Sequence, residues 1–253
     1  MSISRRDFGK TLGLAGAAHM APPLPASSAP APDVEVQEAG ARSGASAYTF
    51  FTPGEAAFVE AAVARLIPAD ELGPGAREAG VAFFIDRQLS GAYGHGAKWY
   101  MRGPWGDSVP EQGYQLPLTP RELYRLAIDA IDREALTRHE KPFTQVSAAE
   151  HDGLLTAVER GELKAGDTPL KTFFDMLLGN TMEGYFSDPI HGGNRDKVGW
   201  RLVGFPGVAA SYVNRIEKHN EPYRVEPVGI ADVLERRVRQ DEHGHVLHEP
   251  LDR

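Results

Sequence analysis

Three short capping sequences, each followed by apolar residues at helical spacing, constrain the fold of this chain more than any other feature. Thr52–Glu55, Thr119–Glu122 and Ser147–Glu150 each place a hydroxyl residue three positions before a glutamate. This spacing is typical of a capping box, in which the hydroxyl and the carboxylate satisfy backbone N–H groups that the first helical turn leaves unpaired. Each of the three sequences therefore predicts the start of a helix.

Apolar residues behind these starts recur with the period of a helix. After Thr52–Glu55 they fall at i, i+3, i+4, i+7 and i+8, and Pro68 then ends the pattern. The same spacing predicts a fourth helix starting at Thr168-Pro169, and weaker patterns predict helices over Val81–Leu89 and Val208–Ile216. Since no sustained period-two alternation indicates strands, the expected fold class is mainly α.

The composition of the chain predicts three regions. Residues 1–47 combine a basic start, a weakly apolar stretch and a Pro/Ala/Ser-rich linker. Residues 48–228 are expected to form a single irregular helical domain with long glycine- and aromatic-rich loops. Residues 229–253 form a polar C-terminal tail, whose histidines we interpret as solvated and not as metal ligands: His243, His245 and His248.

The first region is typical of a cleavable twin-arginine (Tat) export signal. Its diagnostic residues are Arg5, Arg6, Phe8 and Lys10, ahead of a modest apolar run. The Tat translocase is thus an expected partner, and the expected location is the periplasm. Because this route carries folded proteins, it suits a chain that joins a cofactor-bearing partner before export.

The composition argues against several classes of function. The chain contains no cysteine, so neither thiolate-held iron–sulfur clusters nor c-type haem attachment is expected. Its formal net charge is −8, which disfavours binding to nucleic acid. After the signal no apolar run approaches the roughly 20 residues that span a bilayer. We therefore expect no cofactor in this chain and no direct membrane span.

The segment from Gly179 to Gly207 carries the most specific pattern. Seven of its residues are glycine, interleaved with aromatic residues, and Gly192-Gly193 permits positive φ angles and close backbone approach. Such loops usually form a shaped surface, so we predict a partner interface here. The alternative is a satellite core beneath long loops, and Tyr93–Trp105 is the next candidate interface. The predicted interface residues are Tyr185, Phe186, His191, Gly192, Gly193, Asn194, Trp200 and Phe205.

This segment resembles the gluconate 2-dehydrogenase subunit 3 family, whose members include small subunits of related fructose and glucose dehydrogenases. The resemblance covers roughly residues 51–222. It is carried by Gly184–Pro189, His191–Asn194, Gly199-Trp200 and Gly204–Gly207.

The resemblance implies a small subunit that carries the Tat signal for its partners. The expected partners are a large FAD-dependent dehydrogenase subunit of the glucose-methanol-choline type and a multihaem cytochrome c subunit, which holds haem c and attaches the complex to the cytoplasmic membrane. The small subunit itself is expected to bind the flavoprotein, to help it fold and to be exported with it. The chemistry would then belong to the partner.

Two other classes of function remain open from the residues alone. The chain is a free-standing periplasmic enzyme if Glu183, Asp188 or His191 carries a reaction. A metal on these residues and Asp196 is disfavoured, because their spacing matches no recognised ligand pattern. The chain is a periplasmic sugar-binding module if its Trp and Tyr residues stack a sugar. Outside the glycine-rich segment, the aromatic residues that we consider as anchors of a partner interface are Tyr93, Trp99, Tyr100, Trp105 and Tyr114.

Overall fold

The computed structural model describes residues 47–106, 109–208, 212 and 215–251. The predicted export signal, with Arg5, Arg6, Phe8 and Lys10, lies outside the described residues. Within the described part the chain is mainly helical, as the sequence predicts. Its helices are α1 (Pro53–Leu66), α2 (Val81–Ser90), α3 (Pro120–His139), α4 (Ala148–Glu159), α5 (Lys171–Phe186), α6 (Val198–Val203) and α7 (Ile230–Leu234).

Short elements connect these helices. A two-residue antiparallel hairpin, β1 (Lys164–Ala165) and β2 (Thr168–Pro169), lies between α4 and α5. Single turns of 3₁₀ helix lie at Pro110–Gln112, Phe143–Gln145, Pro189–His191 and Arg195–Lys197. The described part contains no helix that is both long enough and apolar enough to cross a bilayer.

All three predicted capping boxes start helices. At α1 the Thr52 hydroxyl accepts from the Glu55 N–H at 3.3 Å, and Glu55 accepts from the Thr52 N–H at 2.8 Å. Ser147 and Glu150 repeat this arrangement at α4. At α3 both the hydroxyl and the N–H of Thr119 donate to Glu122, and these bonds lower the pKa of the Glu122 carboxyl. The helix starts are therefore set by local chemistry.

Two predicted helices need correction. Thr168-Pro169 does not start α5, because these residues pair with β1 as β2, and the helix begins at Lys171. Gly166 adopts a φ of 59° in the connecting turn, which favours the hairpin over an earlier helix start. In the predicted helix 208–216, Val208 donates instead to the Val228 carbonyl at 2.6 Å, and Tyr212 is not helical. The remaining residues there lie largely outside the described part.

Helix α5 lies at the centre of the fold and contacts each of α1, α2, α3 and α4. Its Phe173 and Leu177 are fully buried, and the Phe173 ring meets the Tyr124 ring of α3 edge to face at 5.1 Å. Removing such side chains from water is the main stabilisation available to this cysteine-free chain. The largest fully buried side chains include Phe58, Ile85, Leu89, Leu123, Tyr124, Phe143, Phe173 and Leu177.

Asp86 of α2 fixes the segment that leads into α1. One carboxylate oxygen accepts from both the N–H and the hydroxyl of Thr49, each at 2.7 Å. The other accepts from the N–H groups of Phe50 and Phe51, at 2.9 and 2.8 Å. A buried carboxylate with this many donors is well satisfied. Asp86 thereby fixes the segment against the core.

Candidate functional site

The glycine-rich segment folds back closely on the end of α5. A Cβ on Gly193 would overlap the Gly184 carbonyl, and one on Gly199 would overlap the Tyr185 carbonyl. A Cβ on Gly184 would lie only 2.8 Å from the Phe84 ring, so Gly184 also packs closely. The predicted close backbone approach at Gly193 is confirmed, and Gly192 has the predicted positive φ, 105°.

Hydrogen bonds fix the turns of this segment from inside. The Asn194 side chain is fully buried; its amide nitrogen donates to the Ser187 carbonyl, and its amide oxygen accepts from the Gly199 N–H, both at 2.8 Å. The Trp200 indole N–H donates to the Phe186 carbonyl at 2.7 Å. The Tyr185 hydroxyl donates to the Pro74 carbonyl at 2.7 Å, and burial raises its pKa. These hydrogen bonds attach the segment to the end of α5 and attach α5 to the residues before α2.

The predicted interface residues therefore divide by exposure. Tyr185, Gly193, Asn194 and Trp200 are buried inside the chain, as the satellite-core alternative describes. Phe186 and Gly192 are half-buried, whereas His191 and Phe205 are exposed. In this structure the buried residues support the surface, and a partner would contact the exposed ones.

Apolar residues are exposed on α6 and the turn behind it; the sequence predicted Phe205 as an interface residue, but it gave no signal for Leu202 and Val203. Leu202, Val203 and Phe205 are 45%, 59% and 45% exposed, and we call these three residues the α6 face. Phe205 rests on buried Trp200, with ring centroids 5.3 Å apart. Exposed apolar side chains so close together in the chain make this face a candidate contact surface.

The acidic residues considered for catalysis or metal binding have other roles or no partner ligands. Asp188 caps two elements, because its two oxygens accept from the Ile190 N–H at 3.0 Å and the Ile230 N–H at 2.8 Å. Glu183 and Asp196 are exposed. The described residues bring together no group of three potential ligands for a metal ion.

The C-terminal segment, residues 224–251, is joined to the glycine-rich segment by Asp188 and by a second acidic residue, Asp232. Asp232 of α7 is 8% exposed and lies 2.5 Å from the Lys197 ammonium and 3.1 Å from the Arg237 guanidinium. Burial alone would raise the pKa of Asp232, but the Lys197 hydrogen bond, the Gly229 N–H and the two cations together lower it. The residues after α7 return along residues 224–226, where Glu226 N–H donates to Glu249 and Leu251 N–H to Arg224.

The aromatic residues of the loop between α2 and α3 form a separate cluster. Trp99 lies between Tyr93 and Tyr114, at 5.8 and 4.8 Å between ring centroids, and Tyr100 is 80% exposed. Trp99, Tyr100, Trp105 and Tyr114 line an open cleft, whereas Tyr93 lies behind it. The cluster contacts the core through Tyr93, whose hydroxyl donates to Asn180 of α5 at 3.2 Å.

Fold and site together define a mainly helical protein in which a glycine- and aromatic-rich segment packs against a central helix and presents a small apolar face. The chain belongs to the gluconate 2-dehydrogenase subunit 3 family, whose family model matches residues 53–207. The match runs from the start of α1 to Gly207, so it includes the whole glycine-rich segment. Neither the curated proteins nor the solved structures that were searched contain a match.

Proposed function

We propose that this chain is the non-catalytic small subunit of a membrane-bound sugar or sugar-acid dehydrogenase of the gluconate 2-dehydrogenase type. It binds the FAD-dependent subunit, helps it fold and is exported with it through the Tat pathway to the periplasm. FAD belongs to that partner, and haem c belongs to a third subunit that attaches the complex to the cytoplasmic membrane. The observation that carries the proposal is membership of a family whose description names it a dehydrogenase subunit.

The α6 face is the surface that we assign to the flavoprotein. It is apolar, it lies within the family-matched range, and the buried residues Asn194 and Trp200 hold it rigid. A rigid surface loses little conformational entropy on binding, which favours affinity. The docking site in this proposal is thus the exposed side of α6, whereas the aromatic residues beneath it serve the fold of the small subunit.

Charge substitutions on the α6 face test this assignment. Val203→Asp places a carboxylate in the proposed contact, so binding to the flavoprotein should weaken about tenfold or more, while the melting temperature of the free chain stays close to wild type. Leu136→Asp is the matched control, because Leu136 on α3 is similarly exposed and lies outside the proposed contact. Affinity is measured by titrating the co-expressed flavoprotein with each purified variant.

A third variant distinguishes a residue that supports the fold of this chain from one that contacts the flavoprotein. Trp200→Ala removes a buried ring and leaves the Phe186 carbonyl without its donor, so it should lower the melting temperature by several degrees. Wild-type affinity in Val203→Asp would place the flavoprotein elsewhere on the chain. Failure of the chain to copurify with any flavin-containing protein would contradict the proposed function itself.

A further inference from the structure

Two arginines from different elements lie beside Gly192 of the glycine-rich segment. Arg87 lies on α2, and Arg195 lies in the turn that leads directly into α6. Both are exposed. In the described part of the chain, neither guanidinium takes part in an ion pair. Since a guanidinium has several N–H donors, most of them can bind a group from outside the chain.

Arg87 is held against the backbone of the segment. Its Nη1 donates to the Ile190 carbonyl at 3.1 Å. A Cβ on Gly192 would lie 3.2 Å from the Arg87 Cδ and 3.3 Å from its Nη1, which is a tight contact. Glycine at position 192 therefore lets the Arg87 side chain lie directly on the backbone, and this packing restricts where the guanidinium can point.

Arg195 is fixed close to the same glycine. Its backbone N–H donates to the Ala79 carbonyl at 2.9 Å, and its guanidinium carbon lies 5.8 Å from the centre of the Phe83 ring. That distance is within the range of a cation–π contact. A Cβ on Gly80 would lie 3.2 Å from the Arg195 Nη2 and 3.4 Å from the Gly192 carbonyl oxygen. The two guanidinium groups thus lie beside one turn.

The carboxylates nearest in sequence to the two arginines do not neutralise them. Asp86 and Asp188 accept hydrogen bonds from backbone N–H groups. Glu78 likewise accepts from a backbone N–H, at 3.1 Å. Asp196 is exposed and forms no ion pair with Arg195. Within the described residues the two guanidinium charges therefore have no carboxylate partner, although the net charge of the whole chain is −8.

Two positioned guanidinium groups suit carboxylates on a protein surface. A planar guanidinium forms two parallel hydrogen bonds with a carboxylate, and arginine is enriched at protein interfaces. An anionic bilayer fits less well, because two cations attract it weakly and a net charge of −8 is repelled. Given the proposed function, on which this inference rests, we propose that Arg87 and Arg195 bind aspartate or glutamate side chains of the flavoprotein and steer it onto the α6 face.

Removing both positive charges tests this contact. In Arg87→Gln with Arg195→Gln, association with the purified flavoprotein should slow at least about tenfold at low ionic strength, because the attraction that brings the two proteins together is lost. The difference from wild type should disappear at about 1 M salt, where the screening length is about 3 Å. Association and dissociation rates are measured by biolayer interferometry, with the small subunit immobilised through a terminal tag.

Two further variants control for net charge and for folding. Arg133→Gln with Arg138→Gln removes the same charge from α3, outside the proposed contact, and should leave the association rate within about twofold of wild type. Arg87→Lys with Arg195→Lys keeps the charge, so association should stay fast. Its complex should dissociate faster, because lysine cannot form the two parallel hydrogen bonds. The melting temperature of each free variant shows whether it is folded.

Three results would overturn the proposal: wild-type association in the double glutamine variant, a slowing no greater than in the α3 control, or a lysine variant as slow as the glutamine variant. Binding of the wild-type chain to phosphatidylserine vesicles that the double glutamine variant loses would assign the two arginines to a lipid surface instead. In each of these cases the chain still binds the flavoprotein, so the proposed function stands. No association of the wild-type chain at all would contradict the proposed function and this contact together.

Discussion

Two glycines of this chain, Gly193 and Gly179, have opposite local environments, so adding a methyl group should affect stability differently at each. Gly193 is buried against the Gly184 carbonyl, with no space for a Cβ. Gly179 lies in the middle of α5 on an exposed face, where a Cβ would meet nothing within 4 Å. The first glycine is required by packing, whereas the second carries the entropic cost of glycine in a helix.

The same substitution at these two positions should therefore have opposite effects. Gly193→Ala should destabilise the chain by about 2 kcal/mol or more, because the backbone must move apart to admit the methyl group. Gly179→Ala should stabilise it by about 0.5–1 kcal/mol through helix propensity. Differential scanning calorimetry of both variants checks the prediction. A Gly193→Ala chain as stable as wild type would contradict the close packing of this segment on α5.

The sequence predicted the backbone behaviour of this segment better than the direction of its side chains. Adjacent glycines at 192 and 193 predicted positive φ and close approach, because only glycine tolerates both. Aromatic residues carry no comparable signal, since a tyrosine or a tryptophan beside glycines packs equally well inward or outward. Tyr185 and Trp200 can be buried at little polar cost because the Pro74 and Phe186 carbonyls accept from them, and those contacts are set by tertiary structure.

Helices with their own caps were predictable, and helices that depend on distant residues were not. Thr52, Thr119 and Ser147 start α1, α3 and α4 through bonds to a glutamate three residues away. Helices α6 and α7 have six and five residues, too short to be stable by themselves. Asp188, which caps α7, lies 42 residues away in the sequence. No local pattern indicates such a partner.

The attachment of α7 should depend on pH through Asp232. Because the folded-state pKa of Asp232 is lowered, its ionised form contributes stability above the ordinary pKa of about 3.9, and this contribution is lost as pH falls through the lowered value. Amide exchange over residues 226–236, corrected for intrinsic rates, should therefore accelerate below about pH 4. Asp232→Asn should already exchange faster at neutral pH and should lose most of this pH dependence.

Asp129→Asn is the control for that measurement, because Asp129 is an exposed carboxylate on α3 that pairs with a neighbour one turn away. It should leave exchange over residues 226–236 as in wild type at every pH. An Asp232→Asn chain with the wild-type pH profile would show that other groups hold α7 in place.

For the chain as a whole, the described residues form a helical core, a glycine-rich segment packed on α5, and a C-terminal segment joined to that segment by Asp188 and Asp232. The family match ends at Gly207. The partners of Asp188 and Lys197 lie beyond it, because Asp188 accepts from the Ile230 N–H and Lys197 donates to the Pro227 carbonyl. The mainly helical class could be predicted from periodicity alone. The contacts that join these three parts could not, because they link residues that are far apart in the sequence. The proposed export of a partner concerns residues 1–47 and needs a test in cells.

Replacing the arginine pair by lysines tests that export. Arg5→Lys with Arg6→Lys keeps the positive charge but removes the planar guanidinium groups that distinguish arginine from lysine. We expect the double variant to stay in the cytoplasm and the flavin-dependent dehydrogenase activity to disappear from the periplasm with it, as measured by fractionating cells. Arg133→Lys with Arg138→Lys on exposed positions of α3 is the matched control, and both proteins should then reach the periplasm. Normal periplasmic dehydrogenase activity beside a retained small subunit would mean that the flavoprotein travels by its own signal, and co-export would have to be abandoned even if the two chains bind each other.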